Sequence, residues 1–324
     1  MKITVILCTH NRCRSLAKAL QSVALSQLPD SVEWEVLVVD NNSSDQTREV
    51  TEAYCRQYPE RFRYLFEPQP GKSYALNSGI REARGEILAF MDDDVTVEPT
   101  WLQNLTSNLH DNQWAGAGGR ILPEQSFSPP RWLALHGPFS MGGVLALFDR
   151  GDEPGEIDWA PYGTNMAFRR AMFEKFGGFR TDLGPIPGSQ IRNEDTEFGY
   201  RVMKAGELLR WEPSAVVYHE VVQHRLRKKY FLEWWFDYGR AEIRVKIKRP
   251  DVLGIPRHYI SILNRLFSIL PGRTRRWLLA FDPPERFFKK CMVYWTIGEI
   301  VEIYRREYEP REKGNDFQPR TAKG

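Results

Sequence analysis

The sequence predicts an α/β protein whose mostly parallel sheet carries helices on both faces. Short apolar runs alternate with segments of helical periodicity through the first third of the chain. Three of these runs are followed directly by polar clusters, which begin at Thr9, Asp40 and Asp92. Alternating strands and helices are typical of parallel sheets, in which ligands bind beyond the carboxyl ends of the strands. We therefore expect the polar clusters to meet in one crevice.

Each element of this first region follows from a local pattern. Apolar runs predict strands at residues 3–7, 36–39, 62–66 and 86–91. Apolar residues at helical spacing predict helices at residues 16–28, 45–58, 73–83 and 98–109. Ser44 and Asp45 are residue types that cap helices, and Pro99 suits a first helical turn, so two of these helices have defined beginnings.

The second region is less regular. Residues 126–159 are rich in proline, glycine and aromatic residues, and they predict loops and short strands along the far wall of the site. Regular patterns then resume with strands at residues 165–168, 208–211 and 216–218, and helices at residues 170–176 and 193–205. Beyond Arg225 the sequence is helical, basic and aromatic, and its last dozen residues predict a disordered tail.

Composition excludes several classes of protein. The 324 residues are 42% hydrophobic and 27% charged, as in ordinary globular proteins. The four cysteines include no CxxC pair, so we expect neither a zinc site nor a disulfide framework, and a reducing cytoplasm is the simplest compartment. The N-terminus shows no basic and apolar leader, and no apolar stretch reaches the roughly 18 residues of a spanning helix. We therefore expect neither secretion nor a membrane span.

Three consecutive carboxylates give the strongest indication of chemistry. Asp92, Asp93 and Asp94 follow directly on an apolar run, and adjacent like charges cannot be buried unpaired. Carboxylates with few other strong ligands suit Mg²⁺ or Mn²⁺, which takes the rest of its shell from water and phosphate oxygens. Because alternate residues of a strand face the same side, we expect Asp92 and Asp94 to share an environment and Asp93 to point away.

The usual phosphate-binding loops are missing from the sequence. No GxGxxG pattern follows the first strand, which argues against a dinucleotide oxidoreductase. Residues 71–73 (Gly-Lys-Ser) imitate the end of a Walker A loop, but Phe66 replaces its first glycine, and Pro68 and Pro70 stiffen it. A metal ion on the aspartates is then the natural way to hold phosphates.

Eight sequence elements, taken in order over residues 1–225, resemble those of family-2 glycosyltransferases, which have the GT-A fold. They are Thr9-His10-Asn11-Arg12, Asp40-Asn41-Asn42-Ser43, Gly71-Lys72 with Asn77, Asp92-Asp93-Asp94 with Pro99, Gly163-Thr164-Asn165 with Arg169, Phe176-Gly177-Gly178-Phe179, Asn193-Glu194-Asp195 with Arg201, and Pro213 with His219. One departure is Leu76, which stands where many relatives have arginine. Either Lys72 supplies the positive charge there or none is needed.

The resemblance implies that the donor is a nucleotide-diphosphate sugar, that is, a sugar linked to UDP, GDP or dTDP. Asp40 would receive the base, since a carboxylate accepts hydrogen bonds from base and ribose groups. A structural role in the turn that follows stays open for Asp40 and Asn42. The implied donor-binding residues are Thr9, Asn11, Arg12, Asp40, Asn42, Lys72, Asp92 and Asp93.

The resemblance also implies a bound Mn²⁺ or Mg²⁺. Asp94 is its firmest expected ligand, and Asp92 and His219 are the others. A lone histidine is more often structural, and His224 is a second candidate, so the choice between the two histidines stays open.

On the acceptor side, the resemblance implies that Asp195 is the general base, which takes the proton of the acceptor hydroxyl as the sugar is transferred with inversion. Asn165 and Glu194 are expected beside the acceptor. The helix dipole alone also favours acids at the start of a helix, so a structural explanation stays open for Glu194 and Asp195.

These expectations divide the chain into parts. Residues 1–225 would form the GT-A catalytic domain, with a nucleotide-binding half at 1–125 and an acceptor-side half at 126–225. Residues 226–310 would form a helical C-terminal extension, and residues 311–324 the disordered tail.

The predicted activity is inverting, metal-dependent transfer of a sugar to a glycan or polyprenyl-linked acceptor, in bacterial surface polysaccharide synthesis. Two alternatives stay open. One is a non-catalytic relative that binds nucleotide sugars or glycans. The other is a nucleotidyltransferase, which would leave the Asn193-Glu194-Asp195 element unexplained.

The extension is a basic surface on a chain whose net charge is only +3. Its basic and aromatic residues, such as Trp234 and Trp235, suit peripheral contact with an anionic membrane. In the alternative arrangement the aromatic residues pack under the catalytic domain and the basic residues face solvent. The expected location is therefore the cytoplasm, free or on the inner face of the cytoplasmic membrane. No motif supports a nucleic-acid partner.

Overall fold

The computed structural model describes residues 2–110, 113–186, 189, 191–246 and 257–308. Its strands are β1 (Lys2–Thr9), β2 (Glu33–Asp40), β3 (Phe62–Phe66), β4 (Ile87–Asp92), β5 (Val95–Val97), β6 (Gly116–Pro123), β7 (Gly155–Glu156), β8 (Asn165–Arg169) and β9 (Leu209–His219). Its helices are α1 (Cys13–Ala24), α2 (Thr47–Gln57), α3 (Lys72–Glu82), α4 (Trp101–Thr106), α5 (Arg170–Phe176), α6 (Glu194–Lys204), α7 (Lys228–Val245), α8 (Arg257–Asn264), α9 (Leu270–Leu278) and α10 (Pro283–Tyr308). A π-helical turn, Arg265–Ile269, joins α8 to α9. The predicted disordered tail, residues 311–324, lies outside the described residues.

The strands form one mixed sheet in the order β3, β2, β1, β4, β8, β6, β9, β5, with β7 paired to β9. Strands β1 to β4 run parallel, and β8 lies antiparallel between β4 and β6. The chain builds outward from β1 in one direction and then returns to add β4 on its other side. Thr9 pairs with Asp40, and Cys8 pairs with Asp92. The polar clusters therefore end side by side at a switch point of the sheet, where α/β proteins bind ligands.

Helices cover both faces of the sheet, as expected. One apolar cluster packs α1 and α4 on one face, through residues such as Leu16, Leu20 and Trp101. A second cluster packs α3, α5 and α6 on the other face, where the rings of Phe173 and Phe198 stack at 4.3 Å. Burial of side chains of this size stabilises the fold by about 1.5–3 kcal/mol each.

The structure differs from the predicted elements in several places. The Gly-rich strand β6 and the three-residue strand β5 are absent from the prediction. The two strands expected at residues 208–211 and 216–218 are one strand, β9, with an irregularity in its pairing opposite Gly119 and Arg120. The helix expected at residues 98–109 is shorter, because α4 ends at Thr106.

A third apolar cluster joins the C-terminal helices to the irregular segment before β7. Leu133 and Met141 from that segment pack with Phe231 of α7 and Phe287 of α10. Trp235 of α7 lies on α10, with its ring 5.7 Å from Phe288 and 5.9 Å from Trp295. The Trp235 side chain is therefore used in packing between helices.

Helices α7 and α10 approach closely along their length. A Cβ at Gly298 of α10 would overlap the carbonyl oxygen of Phe236 in α7, so only glycine permits this approach. Farther along, the buried Glu302 accepts hydrogen bonds from Arg240 Nε at 3.0 Å and Arg244 Nε at 2.6 Å. Close packing and a buried ion-pair network thus hold α7 against α10.

No helix within the described ranges is long and apolar enough to cross a bilayer.

Candidate active site

A cavity of about 1010 Å³ opens at the carboxyl ends of β1 and β4. It is lined by residues from both halves of the sheet, from the start of α6 and from α7. Thr9, Arg12, Lys72, His219 and all three aspartates of the triplet lie on its walls, as do Glu194 and Asp195. The structure therefore brings most of the residues expected in the site to one cavity.

Two aspartates of the triplet share one arginine. Arg12 donates to Asp93 Oδ1 at 3.0 Å and to Asp94 Oδ2 at 2.8 Å. Thr9 Oγ1 donates to the other oxygen of Asp93 at 2.7 Å. Asp93 is 6% exposed, so its charge depends on these partners.

Asp92 points elsewhere. Its Oδ1 accepts a hydrogen bond from Lys72 Nζ at 2.6 Å, and its Oδ2 accepts one from Thr164 Oγ1 at 2.8 Å. Burial opposes ionisation of Asp92, but the charge of Lys72 and the hydrogen bonds of Lys72 and Thr164 together outweigh it and lower the pKa of Asp92. The expectation that Asp92 and Asp94 share an environment is wrong, because β4 ends at Asp92 and strand alternation does not extend beyond it.

Asp94 meets the histidine at the end of β9. His219 Nε2 lies 3.5 Å from Asp94 Oδ1, and the pairing of Val95 with His219 across β5 and β9 fixes this approach. Arg225 bridges the pair, with Nη2 3.1 Å from Asp94 Oδ2 and Nη1 3.1 Å from His219 Nε2. His224 is exposed and lines the cavity beside the ring of Tyr230. Of the two histidines, His219 is the one that contacts Asp94 in the described structure.

The aspartates differ in the direction of their pKa shifts. Burial raises the pKa of Asp93 to about 6, although the charge of Arg12 opposes the shift. Burial acts the same way on Asp94, but the hydrogen bond and charge of His219 outweigh it, together with Arg12 and Arg225. They hold the pKa of Asp94 well below its usual range. Asp94 is therefore a carboxylate at any ordinary pH.

The donor types around Asp94 fit a divalent ion. His219 Nε2 faces Asp94 Oδ1 at 3.5 Å, and an imidazole beside a carboxylate is a suitable pair for Mn²⁺. In the part of the chain that is described, no three acidic, histidine or cysteine side chains converge on one point. Arg12 and Arg225 both occupy Oδ2 of Asp94, and Lys72 occupies Oδ1 of Asp92, so these ion pairs would have to rearrange around an ion.

Asp195 lies in the first turn of α6, and two backbone amides hold its carboxylate. Its Oδ2 accepts a hydrogen bond from Gly163 N at 2.6 Å, and its Oδ1 accepts one from Thr196 N at 2.7 Å. Each carboxylate oxygen has a second lone pair for another donor. The side chain therefore has a fixed orientation and can still accept a proton from a hydroxyl group in the cavity.

Glu194 connects the two groups of acids. It is buried, and Oε1 lies 3.9 Å from Lys72 Nζ, the amine that also holds Asp92. Burial and the charge of Asp195 raise the pKa of Glu194 to about 7. We expected Glu194 beside the acceptor, and the structure puts it between Lys72 and Asp195.

Asp40 is engaged inside the protein. Its Oδ1 accepts a hydrogen bond from Ser43 N at 2.9 Å, as in a capping turn, and its Oδ2 accepts one from Tyr64 Oη at 2.8 Å. Asp40 is not among the residues that line the cavity. Its contact with a nucleotide base stays a prediction.

Asn11 and Asn42 shape the turns that follow β1 and β2. Both have left-handed backbones, with φ of 52° and 59°, and Asn11 Oδ1 accepts a hydrogen bond from Ser44 N at 2.7 Å. Two neighbours that sequence reasoning did not select, His10 and Asn41, line the cavity instead. His10 follows Thr9 and Asn41 follows Asp40 in the polar clusters at the strand ends, and this position in the sequence could have identified them as site residues.

Asn165, which we expected beside the acceptor, lies in the core. It is 1% exposed, and its Oδ1 accepts a hydrogen bond from Trp101 Nε1 at 2.8 Å. Its Nδ2 donates to the carbonyl oxygens of Arg120 and Ala215. Asn165 therefore joins β8 to β6 and β9, and its neighbour Thr164 is the residue that reaches the cavity.

Comparison with known proteins identifies the family. Residues 4–177 match the family described as "Glycosyl transferase family 2". The chain is 26% identical to a glucosyl-dolichyl phosphate glucuronosyltransferase of Haloferax volcanii, over 74% of this chain and 76% of that protein. It is 27% identical to the succinoglycan biosynthesis protein ExoM of Rhizobium meliloti, over 78% of each chain.

The fold of this chain resembles that of a solved structure. The mannosyltransferase PcManGT from Pyrobaculum calidifontis, in complex with GDP-Man and Mn²⁺, superposes with a TM-score of 0.58 at 18% identity. The match covers 94% of this chain and 87% of that one. It confirms the expected GT-A architecture.

Proposed function

Because the chain belongs to glycosyltransferase family 2, it is a glycosyltransferase, and we propose that it is an inverting enzyme. The donor would be a nucleotide-diphosphate sugar, and the acceptor a glycan or polyprenyl-linked saccharide. The observation that carries this proposal is one cavity whose walls hold both Asp195, oriented by two backbone amides, and the charged group around the aspartate triplet. An inverting transferase that uses a nucleotide-diphosphate sugar needs both a base and a site for a diphosphate.

The proposed reaction is a direct displacement. The acceptor oxygen attacks the anomeric carbon, its proton passes to the carboxylate of Asp195, and the bond from that carbon to the diphosphate oxygen breaks. The nucleoside diphosphate leaves with the bonding electron pair, and the configuration of the anomeric carbon is inverted. Arg12, Lys72 and Arg225 are cations on the cavity wall that can bind the diphosphate.

The proposal includes a divalent ion, Mn²⁺ or Mg²⁺. Asp94 and His219 would hold it, with Asp92 as a further ligand if Lys72 moves to the donor. When bound, such an ion supplies positive charge against the leaving diphosphate. PcManGT was solved with GDP-Man and Mn²⁺, which supports this part of the proposal.

The identity of the acceptor is proposed from relatives. The name of the Haloferax volcanii protein includes a glucosyl-dolichyl phosphate, which is a lipid-linked sugar, and ExoM acts in the synthesis of a polysaccharide. We propose an acceptor of these classes and a role in making a surface polysaccharide.

The experiment that tests the proposal is a thermal-shift screen. UDP-, GDP- and dTDP-sugars are added to the protein with Mn²⁺, and again with a chelator. At least one donor should raise the melting temperature, and chelation should remove most of the rise. If no nucleotide sugar stabilises the protein, or the chelator has no effect, the donor and metal proposal fails.

An assay of product release separates the rival functions. A non-catalytic relative would bind a donor without releasing nucleoside diphosphate under any acceptor condition. A nucleotidyltransferase would release pyrophosphate from a nucleoside triphosphate and sugar phosphate. Nucleoside diphosphate released from a nucleotide sugar supports the transferase alone.

We further propose that the protein binds an anionic membrane through the region from α8 to the start of α10. Large apolar side chains are exposed here, with Phe267 78% and Phe281 91% accessible. Exposed basic residues lie among them, including Arg275, Arg276 and Arg286. Apolar and basic side chains on one surface suit an anionic bilayer interface. The expected location is then the inner face of the cytoplasmic membrane.

Flotation with liposomes tests the membrane proposal. The protein should float with phosphatidylglycerol vesicles and much less with phosphatidylcholine vesicles, and F267D/F281D should stay at the bottom of the gradient. Leu25→Asp is the matched control, because Leu25 is 64% exposed and lies on α1's C-terminal cap. Equal flotation of wild type and F267D/F281D would contradict the proposal.

A further inference from the structure

The wall that α7 contributes to the cavity is one continuous face of the helix. Its members recur at spacings of three or four residues, as a helix face requires. They are Tyr230, Glu233, Trp234, Tyr238, Glu242 and Val245. Although α7 begins the C-terminal extension, this face belongs to the active-site cavity.

Two rings on this face are stacked. Trp234 and Tyr238 lie 5.0 Å apart between ring centroids, with only 9° between their planes. Trp235 contacts Trp234 at 5.6 Å, and Trp295 contacts Tyr238 at 5.7 Å, both at steep angles. Trp234 and Tyr238 are half-buried and line the cavity, so each ring is supported by neighbours and also presents area to the cavity. We call this stacked aromatic pair the Trp234–Tyr238 platform.

The platform borders the predicted base. Tyr238 lines the same cavity as Asp195 and Glu242. Burial raises the pKa of Tyr238 to about 12, and the charges of Glu242 and Asp195 add to the effect. Tyr162, a second tyrosine on the cavity wall, also lies near Asp195. The adjacent Gly163 donates its amide to that carboxylate.

A sugar ring matches this combination of groups. One face of the ring exposes C–H groups that pack on flat aromatic rings, and its hydroxyl groups form hydrogen bonds with carboxylates. Glu233 and Glu242 flank the aromatic pair on α7 and provide such carboxylates. A polyprenyl chain would instead bring an apolar ligand against Glu242, which is unfavourable.

We propose that the Trp234–Tyr238 platform binds the terminal sugar ring of the acceptor and directs one of its hydroxyl groups to Asp195. The inference rests on the proposed function, because Asp195 is the base only in that reaction. It makes the C-terminal extension part of the acceptor site, and it makes α7 a determinant of which acceptor is used.

Saturation-transfer NMR tests the platform without knowledge of the natural acceptor. The probes are methyl α- and β-glycosides of glucose, galactose, mannose and N-acetylglucosamine. At least one should receive saturation from the protein, most strongly on its ring C–H protons. Trp234→Leu keeps an apolar side chain and removes the flat ring, so it should lower the transfer at least fivefold. Trp234→Phe should restore it.

Two further variants keep the test decisive. Trp277→Leu on α9 is the matched control, since Trp277 does not line the cavity, and transfer should be unchanged. Glu242→Gln leaves the rings in place and should weaken binding of the same glycoside at least about tenfold, as for loss of one hydrogen bond to a charged group. If no glycoside is saturated by wild type, or if Trp234→Leu matches wild type, the inference is wrong.

The donor measurement distinguishes this failure from failure of the proposed function. The same samples are melted with nucleotide sugars and Mn²⁺. Trp234→Leu should keep the full stabilisation while losing glycoside binding. If nucleotide sugars with Mn²⁺ do not stabilise the wild type, the donor proposal is refuted. If Trp234→Leu binds the glycoside as well as wild type does, the platform is refuted.

Discussion

Glu302→Gln tests whether the ion-pair network between α7 and α10 holds the wall of the cavity in place. Glu302 is 2% exposed and accepts hydrogen bonds from Arg240 and Arg244. Removing one partner from a buried ion pair costs about 3–5 kcal/mol. Arg240 keeps Asp237 at 3.0 Å, and the Arg244 side chain is 23% exposed, so part of the positive charge stays compensated. We therefore expect the lower end of the range, a loss of about 3 kcal/mol.

The loss is measured as the free energy of unfolding from urea titrations of wild type and variant. Glu285→Gln is the matched control on the same helix, since Glu285 forms an i,i+4 pair with Lys289 in which both side chains are 27% exposed. Such a pair contributes about 0.5 kcal/mol or less. The reasoning is refuted if Glu302→Gln loses no more stability than Glu285→Gln.

Three further predictions concern stability and metal binding. The folded state keeps Glu194 protonated to about pH 7, because burial and Asp195 raise its pKa from 4.5, so Glu194→Gln should gain stability over wild type as pH rises from 4.5 to 7. Urea titrations across this range should find a gain approaching about 3 kcal/mol. Gly298→Ala should lose about 2 kcal/mol by the same assay, because its Cβ meets Phe236, whereas Gly272→Ala, with open space around it, should lose none. Asp94→Asn should abolish the Mn²⁺-dependent part of nucleotide affinity in calorimetry; equal affinity with and without Asp94 would remove it from the proposed ligands.

The sheet and its crevice could be predicted from sequence because β1, β2 and β4 are buried. Their short apolar runs predict buried strands. Each run ends in polar residues, and the parallel register brings these residues together. Strand β6 escaped prediction because its glycines carry no strand preference. The structure supplies the reason for one of them, since a Cβ at Gly119 would overlap the carbonyl oxygen of Ala215.

The individual contacts of the site were harder to predict than its members. Strand alternation stopped at Asp92, so Asp93 and Asp94 came to share Arg12. Arg225 was not among the expected site residues, yet tertiary folding brings it to Asp94. No local pattern records such a contact.

The aromatic residues of α7 show the same limit. Their helical spacing and basic neighbours fitted a membrane anchor or a packed interface. The structure divides them between the two faces of α7, with Trp235 against α10 and Trp234 on the cavity. Helical periodicity predicts that two such faces exist, and only the packing of α7 decides what each one meets.

The central claim is that Asp195 accepts the proton during transfer from a donor bound in this cavity. The most direct measurement is the rate of nucleoside diphosphate release from the donor sugar that stabilises the protein, with Mn²⁺ and an acceptor, for wild type and Asp195→Asn. General-base catalysis contributes about 10²–10⁴-fold, so the variant should release diphosphate at least about a hundredfold more slowly while its donor affinity stays within about twofold. A wild-type rate of release in Asp195→Asn would contradict the account.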